Sequence, residues 1–263
     1  MSNQNRARTI AITNQKGGVG KTTTTINLAA ALAEGGASVL ILDLDPQGNA
    51  STGLGIDPSA RDLSTYDLIL DDVALSDVTV PTRFEKLSIV PATIDLSSAD
   101  VELVHHEKRV FLLRDSLQSD GLRGYDYVLI DCPPSLNLLT VNAMVAADSV
   151  LVPLQAEFFA LEGLSQLMQT LRQVRETANP ALRIEGIVLT MYDTRNNLCH
   201  QVEGDARENL GDLVFKTRVP RNVRLSEAPS FAVPVLHYDS GSRGSAAYRA
   251  LAREVVDRQF SHA

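Results

Sequence analysis

The chain has no tryptophan and only two cysteines, and aromatic residues fill just 5% of its 263 positions. Cys132 and Cys199 are too few for a disulfide framework, and neither stands in a Cys-x-x-Cys or Cys/His spacing that would hold zinc. A reducing, cytoplasmic setting is expected. Long hydrophobic runs are missing as well. The most apolar stretch, residues 143–154, is broken by Asp148, Ser149 and Pro153 and falls far short of the ~20 residues that cross a bilayer. Residues 1–8 are polar and basic with no apolar segment behind them, which argues against a secretory signal. Positive charge is in deficit, with 24 Lys and Arg against 32 Asp and Glu and a net charge of −8. A negative field repels phosphate backbones, so any nucleic-acid contact requires a local patch. Internal repeats and linkers rich in Pro, Gly or Ser are also missing, and a single domain over 1–263 with a flexible tail at 1–8 is expected.

What is present is an alternation. Short β-branched runs at 9–13, 39–42, 87–90, 127–130, 150–152 and 184–190 predict strands, separated by helical patterns that include 23–34, 161–177 and 244–259. Most of the strands are apolar throughout rather than every second residue, as both faces of a parallel sheet covered by helices require. The expected fold is α/β, doubly wound, with a mostly parallel central sheet. Residues 57–80 are acidic and turn-prone and read as a surface excursion.

The first strand runs into Asn14-Gln15-Lys16-Gly17-Gly18-Val19-Gly20-Lys21-Thr22-Thr23 and then a helix, the context of a P-loop. Glycines let successive backbone N–H groups turn toward one anion, and the helix N-terminus adds positive potential. In such a loop Lys21 reaches the β- and γ-phosphates of ATP and the Thr22 hydroxyl ligates Mg2+. Residues 16–23 are therefore the expected nucleotide site. The usual pattern places glycine where Gln15 stands, and Lys16 brings a second cation to the phosphates. This arrangement resembles the deviant Walker A motif of the ParA/MinD family, in which the early lysine crosses a dimer interface to the partner's nucleotide.

The second strand ends in Asp43-Leu44-Asp45-Pro46, putting two carboxylates at the sheet edge where ligands of open α/β folds bind. One could hold Mg2+ through water while the other orients or deprotonates the attacking water. The family resemblance assigns hydrolysis to Asp45 and metal support to Asp43. The run 125–131, followed by Cys132-Pro133-Pro134-Ser135, is a Walker B signature. There Asp131 would bind Mg2+ through water, and the Pro-Pro turn would sense the γ-phosphate. Cys132 reads as a small buried residue and the His105-His106 pair as surface.

With these motifs in order, the runs 15–27, 43–55, 131–142, 155–164, 219–230 and 239–244 resemble chromosomal ParA/Soj partition ATPases. The resemblance implies nucleotide contacts at Pro220 and Asn222. It further implies an ATP-state homodimer that binds double-stranded DNA non-specifically on the nucleoid, and a ParB-type partner that stimulates hydrolysis. Lys216, Arg218, Arg221 and Arg224 form a basic run without an intervening acid. Arg195 and Arg243 join them as candidate DNA contacts, and the resemblance favours Arg195 and Arg224. Too few residues precede the first strand for a helix-turn-helix extension, so operator-specific binding is not expected. Rival readings are a MinD-like membrane ATPase, disfavoured by a C-terminal helix whose stripe at Ala247, Leu251, Val255 and Val256 reads as core, and a biosynthetic synthetase of the same superfamily. A nitrogenase-reductase relative would need cysteines that Cys132 and Cys199 do not supply.

Overall fold

The computed structural model describes residues 6–118, 120–157 and 160–261. The first five residues of the expected tail, and Phe158 and Phe159 of the 155–164 run, lie outside them. One eight-stranded sheet organises the chain, in the order β3-β4-β2-β5-β1-β6-β7-β8. The strands are β1 (Arg8–Ile12), β2 (Val39–Asp43), β3 (Val80–Pro81), β4 (Leu87–Val90), β5 (Tyr127–Asp131), β6 (Ser149–Gln155), β7 (Arg183–Tyr192) and β8 (Val214–Pro220). Only the β3–β4 pair is antiparallel.

Alternate residues of each strand feed two separate cores. Leu40, Leu42, Val128 and Ile130 belong to one, and Val39, Ile41, Tyr127 and Leu129 to the other. Two apolar faces explain why these strands show no alternation in sequence. The six expected strands are present. β8 went unrecognised because it lies at the sheet edge and carries exposed Lys216 and Arg218 among buried Val214, Phe215 and Val219. The helices expected at 23–34, 161–177 and 244–259 are Lys21–Glu34, Ala160–Thr177 and Arg243–Ser261.

Two expectations change. Ala7 is buried and Arg8 opens β1, its guanidinium paired with Glu185, so the core reaches into the expected tail. The excursion at 57–80 contains a helix, Thr65–Leu70, started by a capping box in which Ser64 and Asp67 satisfy each other's backbone N–H.

The first helix, Lys21–Glu34, is buried along most of its length between the sheet and the C-terminal helix, with Thr24 Oγ1 3.2 Å from the Tyr248 hydroxyl. Tyr248, Leu251, Ala252 and Val255 of the C-terminal helix are buried in this core. Ala247, expected in that stripe, instead faces a cleft described below. Among the described residues no helix is long and apolar enough to cross a membrane.

Candidate nucleotide site and arginine cleft

β1 sits between β5 and β6. The chain leaves β1 for β2 on one side and crosses after β5 to β6 on the other, which opens a crevice at the C-terminal edge of β1. The P-loop fills it. Gly18 (φ 76°) and Gly20 (φ 88°) adopt left-handed backbone that side chains resist, and Gly20 caps the first helix. The loop is tied down on both flanks: Asn14 donates to Pro153 O (2.8 Å), and Thr190 on β7 donates to Val19 O (2.8 Å). Gln15, standing where a glycine is usual, donates to Gly163 O (3.2 Å) and Gln166 Oε1 (2.7 Å), linking the loop to the helix Ala160–Thr177.

The two lysines part company here. Lys21 is buried, and its ammonium lies across the loop with Nζ donating to Lys16 O at 2.9 Å. Burial pulls its pKa down, while Asp131, Cys132 and Asp45 oppose the shift. Lys16 is half-exposed, and its ammonium is ion-paired with Glu157 on the loop after β6. It takes no part in the cradle that Lys21 occupies. Glu157 carried no local signal of this role, because its partner is remote in sequence.

Asp43 and Asp131 end neighbouring strands in direct register and are fully buried. Burial raises both pKa values, and their mutual repulsion adds to the rise in Asp131. Asp43 has a local duty that the sequence did not reveal. Ser51 donates to it through N (2.9 Å) and Oγ (2.7 Å), and Asp45 N donates at 3.2 Å. Its carboxylate thereby clamps the loop that follows β2 rather than standing open to a metal. Ser51→Ala should cost about 1–3 kcal/mol in urea unfolding, because a buried carboxylate loses its best donor.

Asp131 differs. Oδ1 accepts from Thr25 (2.9 Å), but Oδ2 is buried without a hydrogen-bond partner. The Thr22 hydroxyl is close enough to hold the Asp131 pKa down against burial. An orphaned carboxylate oxygen beside a threonine hydroxyl is a donor set suited to Mg2+, which keeps most of its waters and takes phosphate oxygens for the rest. Asp45, almost buried, accepts from Gln47 N at 3.0 Å and leaves Oδ2 available. Cys132 is buried and its thiol pKa is raised by burial, which fits a packing residue, and His105 and His106 are exposed as expected.

Next to the P-loop a cavity of about 440 Å3 is lined by Gly20, Thr23, Met191, Pro220, Asn222 and Pro229 among others. The structure thus brings Pro220 and Asn222 to the phosphate loop. Met191, with φ 50°, was not legible from the sequence.

A chain with the deviant loop, the strand-end aspartates and this sheet order has clear relatives. An AAA domain family model matches residues 7–184. The chromosome partitioning protein ParA of Caulobacter vibrioides is 56% identical over 97% of this chain and 96% of its own length. The chain belongs to the ParA/MinD family of P-loop ATPases. Its relatives place it with the ParA/Soj partition ATPases; the sporulation initiation inhibitor protein Soj of Bacillus subtilis is 51% identical over 94% of this chain and 97% of its own. Among solved structures, cobyrinic acid a,c-diamide synthase from Mycobacterium smegmatis with bound ADP and magnesium superposes with a TM-score of 0.84. It is 36% identical and the match covers 98% and 97% of the two chains.

The arginines expected to meet DNA in a ParA-type protein do not form one uniform patch. Arg195, Arg218, Arg221 and Arg243 line a cleft of about 620 Å3, while Lys216 and Arg224 stand outside its lining. Acids arrive from other elements. Asp193 holds Arg195 through two bonds (3.0 and 2.9 Å), Glu203 holds Arg218 (2.7 Å), and Glu227 and Asp239 hold Arg224 (2.8 and 3.2 Å). Arg221, Arg243 and Lys216 make no ion pair among the described residues. Glu203 is buried and also takes the Tyr192 hydroxyl (2.7 Å) and Arg207 (2.9 Å). Glu203→Ala should therefore destabilise the chain by about 2 kcal/mol or more in urea unfolding, since three donors lose a common acceptor.

Proposed function

We propose that the protein is an ATP-driven partition switch. ATP and Mg2+ bind the P-loop, two ATP-bound copies form a sandwich homodimer, and the dimer holds double-stranded DNA without sequence preference on the nucleoid. A ParB-type centromere-binding partner then stimulates hydrolysis and release, which segregates a chromosome or plasmid. The observation that carries this reading is the position of Lys16 outside its own phosphate cradle, in a chain whose relatives are named as partition proteins.

In this reading the backbone N–H groups of residues 17–23 and Lys21 bind the phosphates, and Pro220 and Asn222 wall the base. Thr22 and Asp131 hold Mg2+, which when bound neutralises charge that develops on the phosphoryl oxygens. Asp43 supports the metal site indirectly, by fixing the loop that carries Asp45. Asp45 orients the attacking water. Lys16 leaves Glu157 and reaches the partner's phosphates, so neither half of the dimer is complete alone.

Phosphate release measured with duplex DNA, with the ParB-type partner and with both tests the proposal. Slow basal turnover should rise about tenfold or more when both are present, by analogy with activators that complete a phosphoryl-transfer site in trans. Turnover indifferent to both would favour a small-molecule synthetase. One observation supports that alternative, the 36% identity to a solved diamide synthase.

A further inference from the structure

Six large apolar side chains stand exposed among the described residues, and four of them, Leu63, Ile94, Val101 and Val104, gather in one region. Ile94 stands just before the helix Leu96–Val104, and Val101 and Val104 lie one and two turns farther along its outer face. Leu96, Ala99 and Leu103 point the opposite way into the core. Leu63 adjoins this stripe, because Ser64 Oγ lies 3.4 Å from Thr93 Oγ1. Isolated exposed apolar residues need no explanation, but a contiguous set marks a surface that something covers.

The surroundings state the chemistry of that cover. From residue 62 to 104 the sequence holds nine Asp and Glu against Arg83 and Lys86 alone. Both cations are engaged away from the stripe: Arg83 donates to Phe231 O and Ala232 O, and Lys86 to Gly36 O. Exposed Asp62, Asp95 and Glu102 flank the apolar side chains, and Asp71 and Glu102 both act on the Tyr66 hydroxyl. An apolar stripe in an acidic frame complements a cationic amphipathic segment.

The same helix is wired to the switch. Asp100 accepts a hydrogen bond from Asn137 Nδ2 and another from Leu139 N (3.3 Å). Asn137 in turn caps the helix Leu138–Ala146 through Thr140 N at 3.1 Å. That cap closes the segment that begins at Asp131 and runs through Pro133 and Pro134. Displacement of the helix Leu96–Val104 therefore pulls on the loop beside the metal site.

We infer that the Leu63/Ile94/Val101/Val104 face docks a basic, partly apolar peptide segment of a partner protein and relays docking to the switch through Asp100 and Asn137. The relay, though not the docking, rests on the partition reading above, in which a partner accelerates hydrolysis.

Methyl spectra of the full chain with ATP and Mg2+ can be recorded during titration with a short helical peptide of lysine and leucine, and with its glutamate counterpart. The methyl groups of Ile94, Val101 and Val104 should shift with the cationic peptide and not with the anionic one. The double variant Val101→Ser/Val104→Ser should weaken peptide binding about tenfold and leave basal ATP turnover unchanged, since both side chains are exposed and outside the nucleotide site. Asp95→Asn with Glu102→Gln should weaken it further as salt rises. Shifts scattered over other surfaces would overturn the docking site. So would equal affinity in the double variant, or self-association that the double variant abolishes, which would make the face a contact between copies. The relay has its own readout: turnover stimulated by the ParB-type partner should fall about tenfold in the double variant, in step with lost docking. Equal stimulation of variant and wild type would overturn the relay. No stimulation of the wild type would instead strike the partition reading and leave the peptide result standing.

Discussion

Replacing Lys16 with alanine is expected to leave ATP affinity within about threefold of wild type while cutting turnover about a hundredfold or more, the scale of losing one preorganised charge from a phosphoryl-transfer site. The geometry demands this split. Lys21 is the buried ammonium that lies across the P-loop, whereas the Lys16 ammonium is turned out to Glu157 and contributes nothing to its own cradle. Lys21→Ala should accordingly lose both affinity and turnover. Titration with a fluorescent ATP analogue separates the two variants, phosphate release gives turnover, and light scattering reports the dimer. Lys16→Ala turnover equal to wild type would sink the trans role. A loss of ATP affinity matching the loss of turnover would sink it too, by returning Lys16 to its own site. Glu157→Gln provides an internal check, since freeing Lys16 should favour the dimer at lower protein concentration.

The parts of this site that were legible in the sequence are those whose chemistry is local. A glycine loop between a strand and a helix, an aspartate ending an apolar run, and two carboxylates one residue apart each announce themselves within about ten residues. What stayed hidden depends on contacts between remote segments. Asp43 and Asp45 look equivalent in sequence, and only the folding of Ser51 back onto Asp43 gives them separate duties. The basic run from Lys216 to Arg224 contains no acid, yet Glu203, Glu227 and Asp239 reach two of its arginines in space. β8 was lost for a related reason. Edge strands expose one side to water, so their charges dilute the apolar pattern that identified the buried strands. The helix Thr65–Leu70 did have a local signal, Ser64 followed three residues later by Asp67, and acidic composition masked it.

DNA affinity supplies the second large expected effect. Arg195, Arg218 and Arg224 carry carboxylate partners, but an ion-paired arginine is not electrostatically silent. Removing Arg224 takes away one positive charge and also bares Glu227 and Asp239 on the surface that would face phosphate. Arg195, 88% exposed in its side chain, stands in the same relation to Asp193. Arg195→Ala/Arg224→Ala in a dimer removes four cations, and at about 0.9 counterions per phosphate contact the salt slope should fall by about 3.6, a loss of about a thousandfold near 0.1 M salt. The loss should be uniform across DNA sequences, because these are backbone contacts. Ser51, Asp131 and the P-loop are untouched, so ATP binding should persist. The measurement is surface binding to duplex DNA across a salt series, in an Asp45→Ala background that holds ATP unhydrolysed. Arg221→Ala/Arg243→Ala makes the comparison informative. These two share the cleft without acidic partners, and their removal should lower the slope by a similar amount without uncovering an acid. Equal affinity in the ADP and ATP states would refute the dimer mechanism, because one copy presents only half of the cations.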